Sequence, residues 1–275
     1  MSKTARSAAP RGERREPSNA RYLGRGALDA SLDVTLVLRR KGPLNTMAQS
    51  SSTAARRADF ATHCGADPSD MERLRQFSRK RGLDEVSCDL ARRTLHLRGT
   101  VKSLQQAFNV QLGRYQLTPG GAAYVSCVQA PTLPDPSIIA VLGLDRRPIA
   151  RPHFRVARAQ STTSFTPLQV GQLYDFPTGT DGSGQIIAII ELGGGYRKTD
   201  LKAYFKSLGL ATPSIAAVGV DGARNQPGGA ADAEVMLDIE VAGALAPKAR
   251  LVVYFAANTD QGFYNAISMA AHNST

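Results

Sequence analysis

Two acidic residues one helical turn apart have the clearest chemical potential in this sequence. Glu234 and Asp238 stand four residues apart in a run that is otherwise mostly apolar. On a helix, residues four apart share a face, with Cβ atoms roughly 6 Å from each other. Two carboxyl groups this close repel each other when both are ionised, which favours one proton shared between them. Such a pair can act as a general base under acidic conditions.

The same spacing has a second interpretation that involves no catalysis. Acidic residues four apart are common on solvated helix faces. The apolar run from Val235 to Leu245 argues against that interpretation, because a helix that is apolar on nearly every side is buried and buried acids need a partner or a function. Glu240 lies on another face of this helix, and we interpret it as a separate, structural carboxylate.

A third carboxyl group ends a predicted strand. Ile186–Glu191 is a continuous apolar run, typical of a strand buried on both faces, and functional groups of open parallel sheets gather at the carboxyl ends of strands. A structural role for Glu191, as an acceptor for loop N–H groups, is equally open. The following glycines, Gly193–Gly195, lack the last glycine of a dinucleotide fingerprint and no Walker sequence occurs, so nucleotide binding is not predicted.

The elements that must position these acids alternate between strands and helices from residue 165 onward, which is typical of a parallel sheet with crossover helices. The predicted helices are Thr166–Tyr174, Thr199–Leu208, the helix of Glu234 and Asp238, and Asp260–His272, and the predicted strands are Ile186–Glu191, Ile215–Val220 and Leu251–Phe255. Since parallel sheets ordinarily have more than about three strands, residues 165–275 are expected to form an incomplete α/β domain.

Residues 28–149 follow a different pattern. They predict the order strand, helix, strand, strand, helix, strand, which is that of a ferredoxin-like α+β domain. The predicted strands are Asp33–Leu38, Glu85–Leu90, Thr94–Leu97 and Val110–Leu117, and the helices begin at the caps Asp67 and Thr100. Residues 40–66 are expected to be a long polar loop.

Charge is distributed unevenly along the chain, whose net charge is +11. Residues 1–160 contain 27 Lys and Arg against 13 Asp and Glu, whereas residues 161–275 contain 7 against 10. A basic segment can bind nucleic acid, an anionic surface or the acidic part of its own chain. No zinc spacing or Lys/Arg–aromatic platform supports the first, so no nucleic-acid partner is predicted. No apolar run is long enough for a membrane span, and no membrane partner is predicted.

Two segments lack the pattern of a folded domain. Residues 1–27 have no apolar core of a standard signal peptide and are predicted to form a disordered basic arm. Residues 150–164, rich first in Arg and then in Ser and Thr, are predicted to be an exposed linker that proteases can cut. Cys64, Cys88 and Cys127 lack metal or disulfide spacing and are expected to be buried free thiols, and no metal site is predicted in this chain.

Three separate runs, in the same order, resemble the kumamolisin-type sedolisins, which are serine-carboxyl peptidases with a subtilisin-like fold. These runs are Ile189–Tyr196, Glu234–Pro247 and Val253–Asp260, and Ala107–Val110 and Val141–Pro148 resemble phrases of the propeptide. The resemblance covers roughly residues 28–275. It implies that residues 28–149 are a propeptide domain, that 150–164 are an activation linker, and that 165–275 are the truncated start of a subtilisin-like peptidase domain.

The resemblance also implies roles for the three acids. In that family a Glu and an Asp on one helix act with a distant Ser, so Glu234 would take the Ser proton and Asp238 would orient Glu234 and share the proton. Glu191 matches an acid that extends this hydrogen-bond network. The family's oxyanion Asp and Gly-Thr-Ser motif do not occur in these 275 residues, and Ser268 and Ser274 lack that setting. We therefore expect an N-terminal piece without its nucleophile, inactive by itself.

For the complete protein, the resemblance implies a secreted, acid-acting serine-carboxyl endopeptidase zymogen that hydrolyses protein or peptide substrates. The propeptide would act as inhibitor and folding aid through intramolecular contact with the catalytic domain. Calcium is expected in the complete enzyme, at a site outside this chain, and the location is expected to be extracellular. The alternative is a non-catalytic, propeptide-like inhibitor or binding module with a vestigial peptidase segment.

Overall fold

The computed structural model describes residues 20–44, 53–118, 120–127, 129–151 and 164–273. Contacts divide them into two compact units. The first is built mainly from residues up to Arg147, and the second from Pro148–Asn258 together with Gly262–Ala271. The sheets of the first unit are antiparallel and that of the second is parallel, which confirms the predicted class, an α+β part followed by an α/β part.

The first unit contains two antiparallel sheets. Its elements are β1 (Ala20–Arg25), β2 (Ser31–Leu38), α1 (Thr53–Cys64), α2 (Pro68–Lys80), β3 (Asp84–Asp89), β4 (Thr94–Thr100), α3 (Val101–Phe108), β5 (Gly113–Leu117), β6 (Ala123–Ser126) and β7 (Ile138–Leu142). One sheet has the order β3-β4-β2-β7 and the other has the order β1-β5-β6. Leu36, Leu74, Leu97, Leu104 and Phe108 are fully buried in a single core, so α2 and α3 cover one face of the larger sheet.

The helix starts predicted for this unit are confirmed. The Asp67 carboxylate accepts a hydrogen bond from the Ser69 N–H, and Pro68 follows at the first helical position, where its missing N–H is not needed. The Thr100 hydroxyl accepts from the Ser103 N–H in the same way. These short polar side chains satisfy backbone donors that a helix start leaves unpaired, and each one fixes where its helix begins.

Other predictions for this unit are wrong. The loop expected over 40–66 contains α1, whose apolar stripe is too weak to stand out in the sequence. The strand expected at Val110–Leu117 begins at Gly113 and pairs with β1 and β6, and β7 instead takes the outer position beside β2. Ala20–Arg25 belongs to β1 and not to a disordered arm, because its backbone pairs with β5 and Tyr22 contacts Tyr115, with ring centroids 5.3 Å apart. The rest of that predicted arm, 1–19, lies outside the described residues.

The second unit is a parallel sheet with helices. Its elements are α4 (Pro167–Leu173), β8 (Ile186–Glu191), α5 (Lys198–Ser207), β9 (Ser214–Gly219), α6 (Asp232–Leu245), β10 (Arg250–Phe255) and α7 (Asp260–His272). The strand order is β8-β10-β9, so β10, the last of these strands in the chain, lies in the middle of the sheet. The predicted bounds agree with these to within one or two residues, apart from α6, for which no bounds were predicted.

Helix α6 packs against the sheet through one face only. Val235 and Ile239 are fully buried with Phe205, Val253 and Phe255, whereas Leu237 keeps 49% of its surface exposed. The expectation that this helix is buried on nearly every side is therefore wrong. A buried face and an open face are the arrangement that lets one helix hold a core together and also present carboxyl groups to a cleft.

Candidate active site

The last residue of β8 places a carboxyl group at the carboxyl edge of the parallel sheet. Glu191 lies opposite Phe255, the last residue of β10, and only 6% of it is exposed. Its buried Oε1 has no hydrogen-bond partner among the described residues. Burial raises the pKa of Glu191 to about 8, and the charges of Asp238 and Glu234 add to the effect. Glu191 is thus held protonated at acidic and neutral pH.

Glu234 and Asp238 reach the same place from α6. Both line a cleft of about 260 Å³, together with Glu191 at the strand end and Phe263 of α7. Glu234 is half-buried and Asp238 is exposed. Desolvation of the Asp238 carboxyl group nevertheless raises its pKa, and the nearby charge of Glu234 raises it further. The structure therefore brings together all three acids predicted from the sequence.

Glu240 shows the contrast on the same helix. It does not line the cleft. Burial raises its pKa, and its charge helps to raise the pKa of Tyr204 on α5. The interpretation of Glu240 as a carboxyl group on a different face is consistent with this placement.

A carboxylate in the first turn of α6, to which sequence reasoning assigned no role, binds two glycine-containing loops. Asp232 accepts hydrogen bonds from the N–H groups of Gly195 at 2.9 Å, Gly228 at 2.6 Å and Gly229 at 3.2 Å. These bonds tie the loop after β8 to the loop before α6. Because Glu191 and Glu234 flank these two loops, Asp232 helps to set the relative position of the acids.

Packing and backbone conformation account for the glycines after Glu191. A Cβ atom on Gly195 would clash with the backbone nitrogen of Pro227, and Gly194 has φ +70, where other residues are strained. Asn225 adds a side-chain clamp, since its Oδ1 accepts from the Tyr196 N–H at 2.8 Å and its Nδ2 donates to the Tyr196 carbonyl at 3.0 Å. Close approach of two loops thus accounts for Gly195, and positive φ angles account for Gly193 and Gly194, without a nucleotide.

A further residue at the cleft was missed by sequence reasoning. The Oδ1 atom of Asn258 accepts from the N–H groups of Ile149 and Ala150, each at 3.0 Å, and its Nδ2 donates to the Ala150 carbonyl at 2.8 Å. Ala150 and Arg151 line the cleft with the three acids. Its position could have indicated a role at the site, because Asn258 follows the carboxyl end of β10. Of the predicted linker 150–164, residues 152–163 lie outside the described residues.

Some classes of site find no support in the part of the chain that the structure describes. None of the helices there combines the length and apolar character of a membrane span. No group of three or more His, Cys, Asp or Glu side chains there is arranged to hold a metal ion. Cys64, Cys88 and Cys127 are free thiols, as predicted, but only Cys64 is buried, so the expected burial is wrong for the other two.

Comparison with known proteins identifies relatives of this chain. Residues 20–147 match the family model of the pro-kumamolisin activation domain. The chain is 45% identical to Kumamolisin from Bacillus sp. (strain MN-32) over an alignment of 286 residues, which covers 95% of this chain and 52% of that protein. It is 24% identical to Tripeptidyl-peptidase sed5 from Aspergillus fumigatus over 238 residues, which cover 75% of this chain and 41% of that protein.

The match to the activation domain and the 45% identity to Kumamolisin over most of this chain show its family. The chain belongs to the kumamolisin-like sedolisins, and residues 20–147 are its activation domain. It spans about half the length, or less, of the curated relatives that it matches.

Proposed function

We propose that this chain is the N-terminal portion of an acid-acting serine-carboxyl endopeptidase zymogen. The observation that carries the proposal is the convergence of Glu191, Glu234 and Asp238 on one cleft at the carboxyl edge of a parallel sheet. Three acids at one site weaken one another's ionisation. A base built from carboxyl groups works at acidic pH, where a histidine would be protonated and unable to accept a proton.

Each acid has a distinct part in the proposed reaction. Glu234 takes the proton of a serine hydroxyl supplied by residues beyond this chain, and the serine oxygen then attacks the substrate carbonyl. The proton passes to the amine of the scissile bond as that bond breaks and the acyl-enzyme forms, and water later releases the acyl group. Asp238, one helical turn away, orients Glu234 and shares its proton. Glu191 is kept protonated by burial and donates a hydrogen bond into the same network, which keeps one proton near the pair as the pH changes.

The remaining family properties are part of the same proposal. The first unit is a ferredoxin-like propeptide and the second is the start of a subtilisin-like domain. The propeptide acts as inhibitor and folding aid. Residues 1–160 contain more Lys and Arg than Asp and Glu, and residues 161–275 contain more Asp and Glu than Lys and Arg. These opposite net charges attract the propeptide to the peptidase part at neutral pH. Acidification protonates carboxylates and weakens that attraction. Substrates are proteins or peptides, the complete enzyme is extracellular, and its calcium is bound by residues beyond this chain.

The test uses the complete coding sequence, with Glu234→Gln and Asp238→Asn as the active-site variants and Glu240→Gln as the matched control on the same helix. With an acid-stable protein substrate at about pH 4, we expect kcat of Glu234→Gln to fall by at least about 10³-fold, because the base is lost. The Glu240→Gln control should remain within about threefold of wild type. Activity of Glu234→Gln within tenfold of wild type would contradict the proposed role.

The 275-residue chain alone should show no turnover on the same substrate, since it contains no serine in the required setting. Turnover that is blocked by a peptide aldehyde would show that the nucleophile lies within this chain. Inhibition of related peptidases by the isolated chain, without turnover in the complete protein, would instead favour the non-catalytic inhibitor.

A further inference from the structure

A peptide segment already occupies the edge of the cleft, and one side chain holds its backbone. Three hydrogen bonds of 2.8–3.0 Å join Asn258 to Ile149 and Ala150, and all three go to main-chain atoms of the segment. Ala150 and its neighbour Arg151 face the cleft that Glu191, Glu234 and Asp238 line. The side chains at 149 and 150 take no part in these bonds.

The pattern of these bonds is that of strand pairing. In an antiparallel pair, one residue exchanges both its N–H and its C=O with the residue opposite. The Asn258 amide makes the same exchange with Ala150, because Oδ1 accepts from its N–H and Nδ2 donates to its C=O. A single side chain thus substitutes for one residue of a neighbouring strand. This kind of contact gives affinity for a peptide backbone without selecting the side chain at that position.

We propose that Asn258 is a substrate-positioning residue that binds the backbone of an extended polypeptide and directs its next residue toward the carboxyl cluster. The ligand is a peptide segment of any side-chain type at the clamped position, and segment 149–151 is the occupant present in this chain. The identification of this ligand as a substrate rests on the proposed function. The clamp itself can be measured without any catalysis.

Asn225 shows that the chain uses the same amide pairing elsewhere for structure. It holds the N–H and C=O of Tyr196, but it joins two loops and does not line the cleft of the acids. Asn258 differs because its partner is a segment beside the cleft, and the exposed residues Ala150 and Arg151 can be replaced there by another chain. Asn225→Ala is therefore a control for the loss of an Asn–backbone clamp as such.

The first measurement is amide hydrogen exchange in the 275-residue chain. In Asn258→Ala we expect the N–H groups of Ile149 and Ala150 to exchange at least tenfold faster, while Val252 and Val253 of β10 keep their wild-type rates. Asn225→Ala should accelerate Tyr196 and leave Ile149 and Ala150 unchanged. Unchanged exchange at 149 and 150 in Asn258→Ala would overturn the clamp.

The second measurement asks whether the site accepts an added peptide. Ala150→Pro removes one of the bonded N–H groups and weakens the resident segment. The capped tripeptide Ile-Ala-Arg should then bind and shift the side-chain amide resonance of Asn258, and the double variant Ala150→Pro, Asn258→Ala should bind it at least tenfold more weakly. Equal affinity in the two variants, or no binding by either, would overturn the proposal. Both readouts are independent of Glu234, so an inactive complete protein would refute the peptidase and leave the clamp standing.

Discussion

Replacing Glu191 by Gln should remove much of the pH dependence of stability in the second unit. The pKa of Glu191 is raised from 4.5 to about 8 in the fold, so between these values the unfolded chain loses a proton that the folded chain keeps. Stability is therefore greatest below about pH 4.5 and falls as the pH rises toward 8. At about 1.4 kcal/mol for each pH unit, the upper limit of this loss is about 5 kcal/mol.

The assay is hydrogen exchange of buried β10 amides, such as Val252 and Val253, at a series of pH values after correction for intrinsic rates. Glu191→Gln has nearly the same shape but cannot ionise, so the fall in stability between pH 4.5 and 8 should shrink by about 2–5 kcal/mol. Comparing the slopes of stability against pH, and not the stabilities themselves, removes the pH-independent cost of burying the side-chain amide that Glu191→Gln introduces. Asp200→Asn, at an exposed acid in the first turn of α5, serves as the control. The same slope in wild type and Glu191→Gln would refute the assignment of a buried, protonated Glu191.

Two further predictions concern the loops beside the cleft, and a third concerns a thiol in the first unit. Asp232→Ala removes the acceptor of three backbone N–H groups and should lower the unfolding free energy by about 2–3 kcal/mol in a urea titration, whereas Asp200→Ala in the first turn of α5 should cost far less. Gly195→Ala should lower the unfolding free energy by more than about 2 kcal/mol, because the added Cβ meets Pro227. Gly229→Ala, with open space around it, should lower it by less than about 1 kcal/mol. Equal losses in the two variants would contradict the packing argument. Burial raises the pKa of Cys127 to about 11, so its alkylation at pH 8 should be slow in the folded chain and fast after denaturation.

The second unit could be predicted closely because its patterns are local. The apolar run Ile186–Glu191 and the cap at Thr166 each carry their own signal, and the spacing of Glu234 and Asp238 needs only a helix to place both on one face. The position of Glu191 also follows from a general rule, since the carboxyl ends of parallel strands meet at one edge.

The first unit was harder to predict because its strands depend on distant partners. β1 is a polar segment that becomes a strand only through pairing with β5, and nothing in Ala20–Arg25 indicates that partner. β7 follows a long irregular connection before it reaches β2. The clamp at Asn258 is equally nonlocal, because its partners lie 108 and 109 residues away.

The most direct test of the central claim is a ¹³C NMR titration of the carboxyl groups in the 275-residue chain. If the three acids form one coupled site, Glu191 should titrate near pH 8, and Asp238→Asn should move that titration to lower pH by removing the larger of the two neighbouring charge effects. Because burial is the larger cause, the titration should still lie well above 4.5. A Glu191 that titrates near 4.5, or that does not respond to Asp238→Asn, would contradict the account.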